Sequence, residues 1–130
     1  MKIALRNLAI FLGAALISAA LYPIGFLTTL TKAVLTANQK QQRPVVYVGE
    51  SALSIALSLD LTGNVICKDL MNLIFIKPEG HLFGDNRETI SSVLGKNKAT
   101  GTLRFLGRKL ADLLNWIQPN HVELAAGTLP

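Results

Sequence analysis

The sequence predicts a mainly α-helical protein, with an N-terminal transmembrane helix followed by a small helical domain that has room for one short strand. Three observations lead there. Leu8–Leu30 is an uncharged, predominantly apolar run. Leu103, Leu106, Leu110, Leu113, Leu114 and Ile117 recur at helical spacing before Pro119. The composition is 50% hydrophobic but only 6% aromatic and 16% charged, with a mean hydropathy of +0.39. Aliphatic apolarity of that kind suits helices and lipid contact better than a β-sandwich.

Residues 1–36 form the expected anchor, with its apolar run at 8–30. As a helix the run spans about 35 Å, more than the ~30 Å hydrocarbon core of a bilayer. Lys2 and Arg6 precede it and Lys32 closes it, while Pro23 predicts a kink near Ala19–Tyr22. The rival is a secretory signal cleaved after Ala20, with Ser18-Ala19-Ala20 as the small-residue site. Against it, the apolar stretch runs ten residues past Ala20.

The formal charge is +5. Residues 1–37 hold three bases and no acid, whereas ten bases face eight acids in the remainder. More than half of the excess therefore flanks the apolar run, where anchoring accounts for it, and no nucleic-acid partner is expected. Bases on the two flanks are balanced, so the positive-inside rule does not decide the orientation. The sole cysteine, Cys67, forms no disulfide within the chain. With the later basic clusters, it favours a cytoplasmic C-terminal domain.

Residues 37–49 read as a linker (37–43) and a short extended segment, Pro44–Val48, stopped by Gly49. Residues 50–121 form the expected helical domain. Ala52–Leu59 is apolar nearly all round, and Thr62-Gly63-Asn64 either breaks that helix or lets it continue to Ile74. Lys77-Pro78-Glu79-Gly80 signals a turn. Asp85 and Glu88 read as a capping box for a short helix carrying Ile90, Val93 and Leu94 and ended by Gly95. Lys96–Gly101 reads as a basic loop, Thr102 as the cap of the last helix, and residues 122–130 as a frayed tail.

The chemistry-bearing residues are few. Glu79, His81, Asp85 and Glu88 cluster in sequence but match no ligand spacing, and Asp85 and Glu88 have a structural use. Ser91 and Ser92 lie in no nucleophile motif. His121 follows a helix stop, a place where histidines cap carbonyls. No catalytic residue, cofactor or metal site is expected. Lys96, Lys98, Arg104, Arg108 and Lys109 are the candidate contact with a partner or with anionic headgroups. Phe105 and Trp116 are too few for a nucleic-acid stacking platform.

Asp60-Leu61-Thr62-Gly63-Asn64, Glu88-Thr89-Ile90-Ser91-Ser92 and Pro119-Asn120-His121 together resemble small membrane-associated proteins encoded by bacteriophages and prophages. The resemblance covers roughly residues 58–122, and its motif residues here are Asp60, Asn64, Glu88, Thr89, Ser91, Ser92, Asn120 and His121. Val122 stands where those relatives often carry Cys, which argues against a His/Cys metal pair. The resemblance implies phage origin and membrane association, and no activity.

The expectation is a single-pass protein of the bacterial inner membrane. Its role is that of an accessory module, not an enzyme, that binds a host or phage protein or itself. The alternatives are a holin-like lysis or superinfection-exclusion protein, and an envelope-acting hydrolase built on Glu79, His81 and Asp85.

Overall fold

A computed structural model describes residues 1–39 and 44–128. The protein is mainly helical. The helices are α1 (Lys2–Gln39), α2 (Pro44–Ile66), α3 (Lys68–Phe75), α4 (Ile90–Thr100), α5 (Phe105–Ile117) and α6 (His121–Ala126). The chain divides into two compact units, Met1–Leu53 and Ser54–Pro130, and the division falls within α2.

In the first unit, α1 continues through Pro23 and would be about 57 Å long at 1.5 Å per residue. Its stretch Lys2–Thr36 is long and apolar enough to cross a membrane, and none of the most apolar window is buried inside the protein. Leu16, Tyr22, Leu27 and their neighbours face outward. The hydroxyls of Thr28 and Thr31 bond back to the carbonyls of Ile24 and Leu27, both at 2.8 Å. Polar side chains of an apolar helix satisfy themselves on their own backbone in this way.

The expected linker overlaps residues 40–43, which lie outside the described residues, while 37–39 belong to α1. The extended segment at Pro44–Val48 is instead the first turn and more of α2. β-Branched residues favour strands only where a partner strand takes their backbone bonds, and a helix satisfies those bonds internally. Proline suits the first helical position because its missing N–H would have no partner there.

In the second unit, α2 does not break at Thr62-Gly63-Asn64 but runs to Ile66. Gly63 serves contact, because a Cβ there would lie 3.2 Å from Cδ1 of Ile90. Cys67 makes the corner into α3, with its N–H on the Gly63 carbonyl at 3.0 Å and its carbonyl accepting from Met71 at 2.9 Å.

The core is small. Ile76, Phe83, Val93, Leu94, Leu103, Ala111 and Val122 are buried together, with Met71, Phe75, Ile90, Leu110 and Leu114 packed around them. Phe75 and Phe83 meet edge to face at 6.4 Å, a favoured aromatic geometry. Ile76 and Leu103 form an isolated antiparallel bridge, bonded through Lys77 N–H to the Thr102 carbonyl and Arg104 N–H to the Phe75 carbonyl.

Helix α4 departs from expectation at both ends. Its N-cap is Thr89, whose hydroxyl accepts from Ser92 N–H at 3.0 Å. Asp85 instead closes a local turn, accepting from the N–H of Arg87 at 2.9 Å. Gly95 does not end the helix, which continues through the supposed basic loop to Thr100 and stops at Gly101, φ 71°. Gly95 is buried, and a Cβ there would overlap the Val122 carbonyl of α6. The glycine lets two helices touch.

Helix α5 starts after Arg104, not at a Thr102 cap. The Thr102 hydroxyl is taken by Oδ1 of Asn97 at 2.6 Å. Gly107 and Ala111 are the buried residues of α5, and a Cβ on Gly107 would overlap the Phe75 carbonyl. Half of the expected leucine stripe faces outward: Leu106, Leu113 and Ile117 are exposed. The tail is not frayed at its start, because α6 carries fully buried Val122 into the core. Asn120, φ 59°, turns the chain into α6, a left-handed position that asparagine tolerates.

Candidate functional site at the head of helix α4

The segment between α3 and α4 has no helix over residues 77–89 and is held by asparagine side chains. Asn64, fully buried on α2, donates to the carbonyls of Asp85 (2.8 Å) and Glu88 (2.6 Å) and accepts from Gly84 N–H (3.1 Å). Asn72 on α3 clasps both backbone groups of Phe83. Asn97 on α4, also fully buried, accepts from His81 N–H at 2.8 Å and donates to the His81 carbonyl at 2.7 Å. It also donates to the Val93 carbonyl and accepts from Thr102. An amide offers two donors and an acceptor oxygen, which matches the paired N–H and C=O of an irregular strand of chain. Among the described residues no buried side-chain polar atom lacks a partner.

The loop so held delivers its residues to the first turn of α4. Asp60 on α2 accepts from Ile90 N–H through Oδ1 at 2.9 Å and from the Ser91 hydroxyl through Oδ2 at 3.2 Å. A carboxylate at a helix N-terminus satisfies an orphan donor and faces the positive end of the helix dipole. Ser91 Oγ also lies 3.1 Å from Nε2 of His121, whose Nδ1 is 2.9 Å from Oε1 of Gln118. Ser91 is buried, and Asp60 and His121 are half-buried. Three remote segments thus meet at one hydroxyl.

Serine, histidine and aspartate together invite comparison with a hydrolytic triad, and the order of contacts argues against it. In such a triad the carboxylate stands behind the histidine and the histidine takes the serine proton. Here the carboxylate holds the serine, and the far side of the histidine faces an amide oxygen. Three of the backbone donors at this helix start are engaged as well: Ile90 N–H by Asp60, Ser92 N–H by Thr89 Oγ1, and Val93 N–H by the Thr89 carbonyl. The arrangement is a helix cap extended by a relay. It ties α2, α4 and α6 together.

The charged residues form separate pairs. Glu88 meets Nε2 of His81 at 2.7 Å and is paired with Lys96. Partial burial pushes the Glu88 carboxyl up, but its bonds to Lys96 and His81 outweigh that and hold it below the usual glutamate range. The two bonds of Arg87 to Asp85 lower that carboxyl to about 2. Glu123 is likewise lowered, with burial opposing and Lys98 and Asn115 prevailing. Of Glu79, His81 and Asp85, His81 is paired with Glu88 and Asp85 with Arg87. Among the described residues no group of three or more His, Cys, Asp or Glu side chains is placed to hold a metal ion.

The motif residues read from the sequence converge. Asp60, Asn64, Glu88, Thr89, Ser91, Ser92 and His121 all act at the head of α4 or on the loop leading to it, and Asn120 turns the chain so that His121 arrives there. The five candidate contact bases do not form one free patch. Lys96 and Lys98 are salt-bridged, Arg104 donates to the Ile76 carbonyl at 2.6 Å, and Arg108 donates to the Leu103 carbonyl at 3.3 Å. Lys109 lies 5.8 Å from the centre of the Phe105 ring. Sequence reasoning missed Asn72, Asn97 and Asn115. The available signal was their placement inside helices, where asparagine is a poor former and needs another reason to be there. Asn115 shows one such reason, accepting from Val122 N–H at 3.0 Å.

No family model matches the chain, and neither a curated protein nor a solved structure is similar to it.

Proposed function

We propose that this is a single-pass protein of the bacterial inner membrane, of phage or prophage origin, whose helical unit is a non-enzymatic accessory module that binds a protein partner. The observation that carries the reading is α1. It is long and apolar enough to span a bilayer, bears no charge between Arg6 and Lys32, and belongs to a chain whose second unit has its own core. An apolar helix exposed over that length needs lipid or protein around it. Phage origin rests on the resemblance over residues 58–122. A binding role, as opposed to catalysis, is supported by the head of α4, where the serine, histidine and carboxylates are engaged in holding segments together.

A reporter fused after Pro130 and expressed in a bacterium tests the placement. The reading expects the fusion in the membrane fraction, with a fluorescent protein bright and a periplasm-dependent phosphatase inactive. A fusion active only as the phosphatase would reverse the orientation, and one found in the soluble fraction would remove the anchor.

A further inference from the structure

We infer that α5 is a second, in-plane membrane contact, with its apolar arc seated among the headgroups of an anionic lipid surface. The inference rests on the anchor reading, because α1 is what would bring this helix to a bilayer. Around α5 the apolar residues sort into an inward and an outward arc. Gly107, Ala111 and Leu114 turn inward, the first two buried and the third packed on the core. Leu106, Leu113 and Ile117 fall within about 40° of one another on the helical projection and are 51%, 52% and 67% exposed. Phe105 and Trp116 extend that arc to about 120°, and Trp116 is 82% exposed.

The charge on α5 is net basic. Arg108 and the single acid Asp112 lie outside the arc, Lys109 projects from within it between Trp116 and Leu113, and Arg104 precedes the first turn. Large apolar side chains, a tryptophan near the edge of the arc and lysine or arginine side chains long enough to reach the headgroups are the features of a helix lying in the bilayer interface. The cations complement anionic headgroups and give a lipid surface the preference over an uncharged protein groove. Among the described residues Arg104 and Arg108 bond to carbonyl oxygens and form no salt bridge. The neighbouring α3 also leaves Leu70 and Leu73 exposed.

The chain contains one tryptophan, so its emission reports on α5 alone. The full-length protein is reconstituted with vesicles of phosphatidylethanolamine and phosphatidylglycerol, and separately of phosphatidylcholine, each doped with lipid brominated close to the headgroup. Flotation reports the anchor and Trp116 reports the contact. Expected are flotation with both vesicles, a blue-shifted emission, and quenching by brominated lipid that is stronger with phosphatidylglycerol. The joint substitution Leu106→Ser and Leu113→Ser, on exposed positions, should abolish the shift and leave flotation intact.

Flotation with water-like emission, quenched by acrylamide and not by brominated lipid, would overturn the inference and leave the anchor reading standing. A blue shift without brominated-lipid quenching would overturn it in favour of a second copy covering the face. Failure to float would overturn the anchor reading, and this inference with it.

Discussion

Nε2 of His121 lies 3.1 Å from Oγ of Ser91, thirty residues away in the chain. That contact joins the first residue of α6 to the first turn of α4, and the same hydroxyl reaches Oδ2 of Asp60 on α2. The Ser91 hydroxyl gives its proton to that carboxylate, so its oxygen is the acceptor on the imidazole side. Removing the carboxylate should therefore affect both the cap and the relay. Asp60→Ala is expected to cost about 1–2 kcal/mol, the upper part of the range for a lost N-terminal cap. Ser91→Ala should cost about 1 kcal/mol, as a hydrogen bond with a partner left behind. Denaturation followed by circular dichroism checks both, and equal stability to the parent would show that the contacts are incidental.

Gly95→Ala separates packing from propensity. On an exposed helix the change would stabilise by about 1 kcal/mol. Here the new methyl would overlap the Val122 carbonyl and approach Cβ of Ala126 at 2.7 Å, so a net loss of about 1–3 kcal/mol is expected. A raised melting temperature would contradict the close crossing of α4 and α6.

Asn97→Ala removes four hydrogen bonds at a fully buried site. The His81 backbone groups would lose their clasp, at a cost of about 2 kcal/mol or more. Limited proteolysis should then cut within residues 77–89 sooner than in the parent. An unchanged cleavage pattern would mean that the loop holds itself.

Acid should weaken the second unit in two stages. Glu88, Glu123 and Asp85 are all lowered in the folded state. The unfolded chain then binds more protons, and stability falls as the pH drops through the interval between the two states. For Asp85 that interval runs from 3.8 to about 2, and for Glu88 it begins at 4.5. Glu88→Gln should remove only its own share of the loss that begins below pH 4.5, and leave the Glu123 and Asp85 parts. An identical pH profile in the variant would show that the His81–Glu88–Lys96 group contributes nothing to folding.

Much of this architecture was legible in the sequence, and the exceptions have physical reasons. Hydropathy alone located α1, because a long run of apolar residues needs nothing from the rest of the chain to be recognised. The stop at Pro119 was equally local. The head of α4 was not, because Asp85 with Glu88 and Thr89 with Ser92 are both plausible caps. Only the pull of Asn64 and Asp60, more than twenty residues away, decides between them. Gly95 looked like a terminator since nothing before it in the chain announces the backbone of α6. Among the described residues there is no strand for the β-branched run at Pro44–Val48 to pair with, a fact that no local pattern contains. The resemblance named the motif residues, while their common position at the head of α4 was not legible.

Alkaline carbonate extraction of bacterial membranes carrying the full-length protein, followed by its intact mass, tests the central claim most directly. The account predicts that the protein stays in the pellet at the mass of the uncleaved chain. Release of the uncleaved protein into the supernatant, or a mass showing cleavage after Ala20, would contradict it.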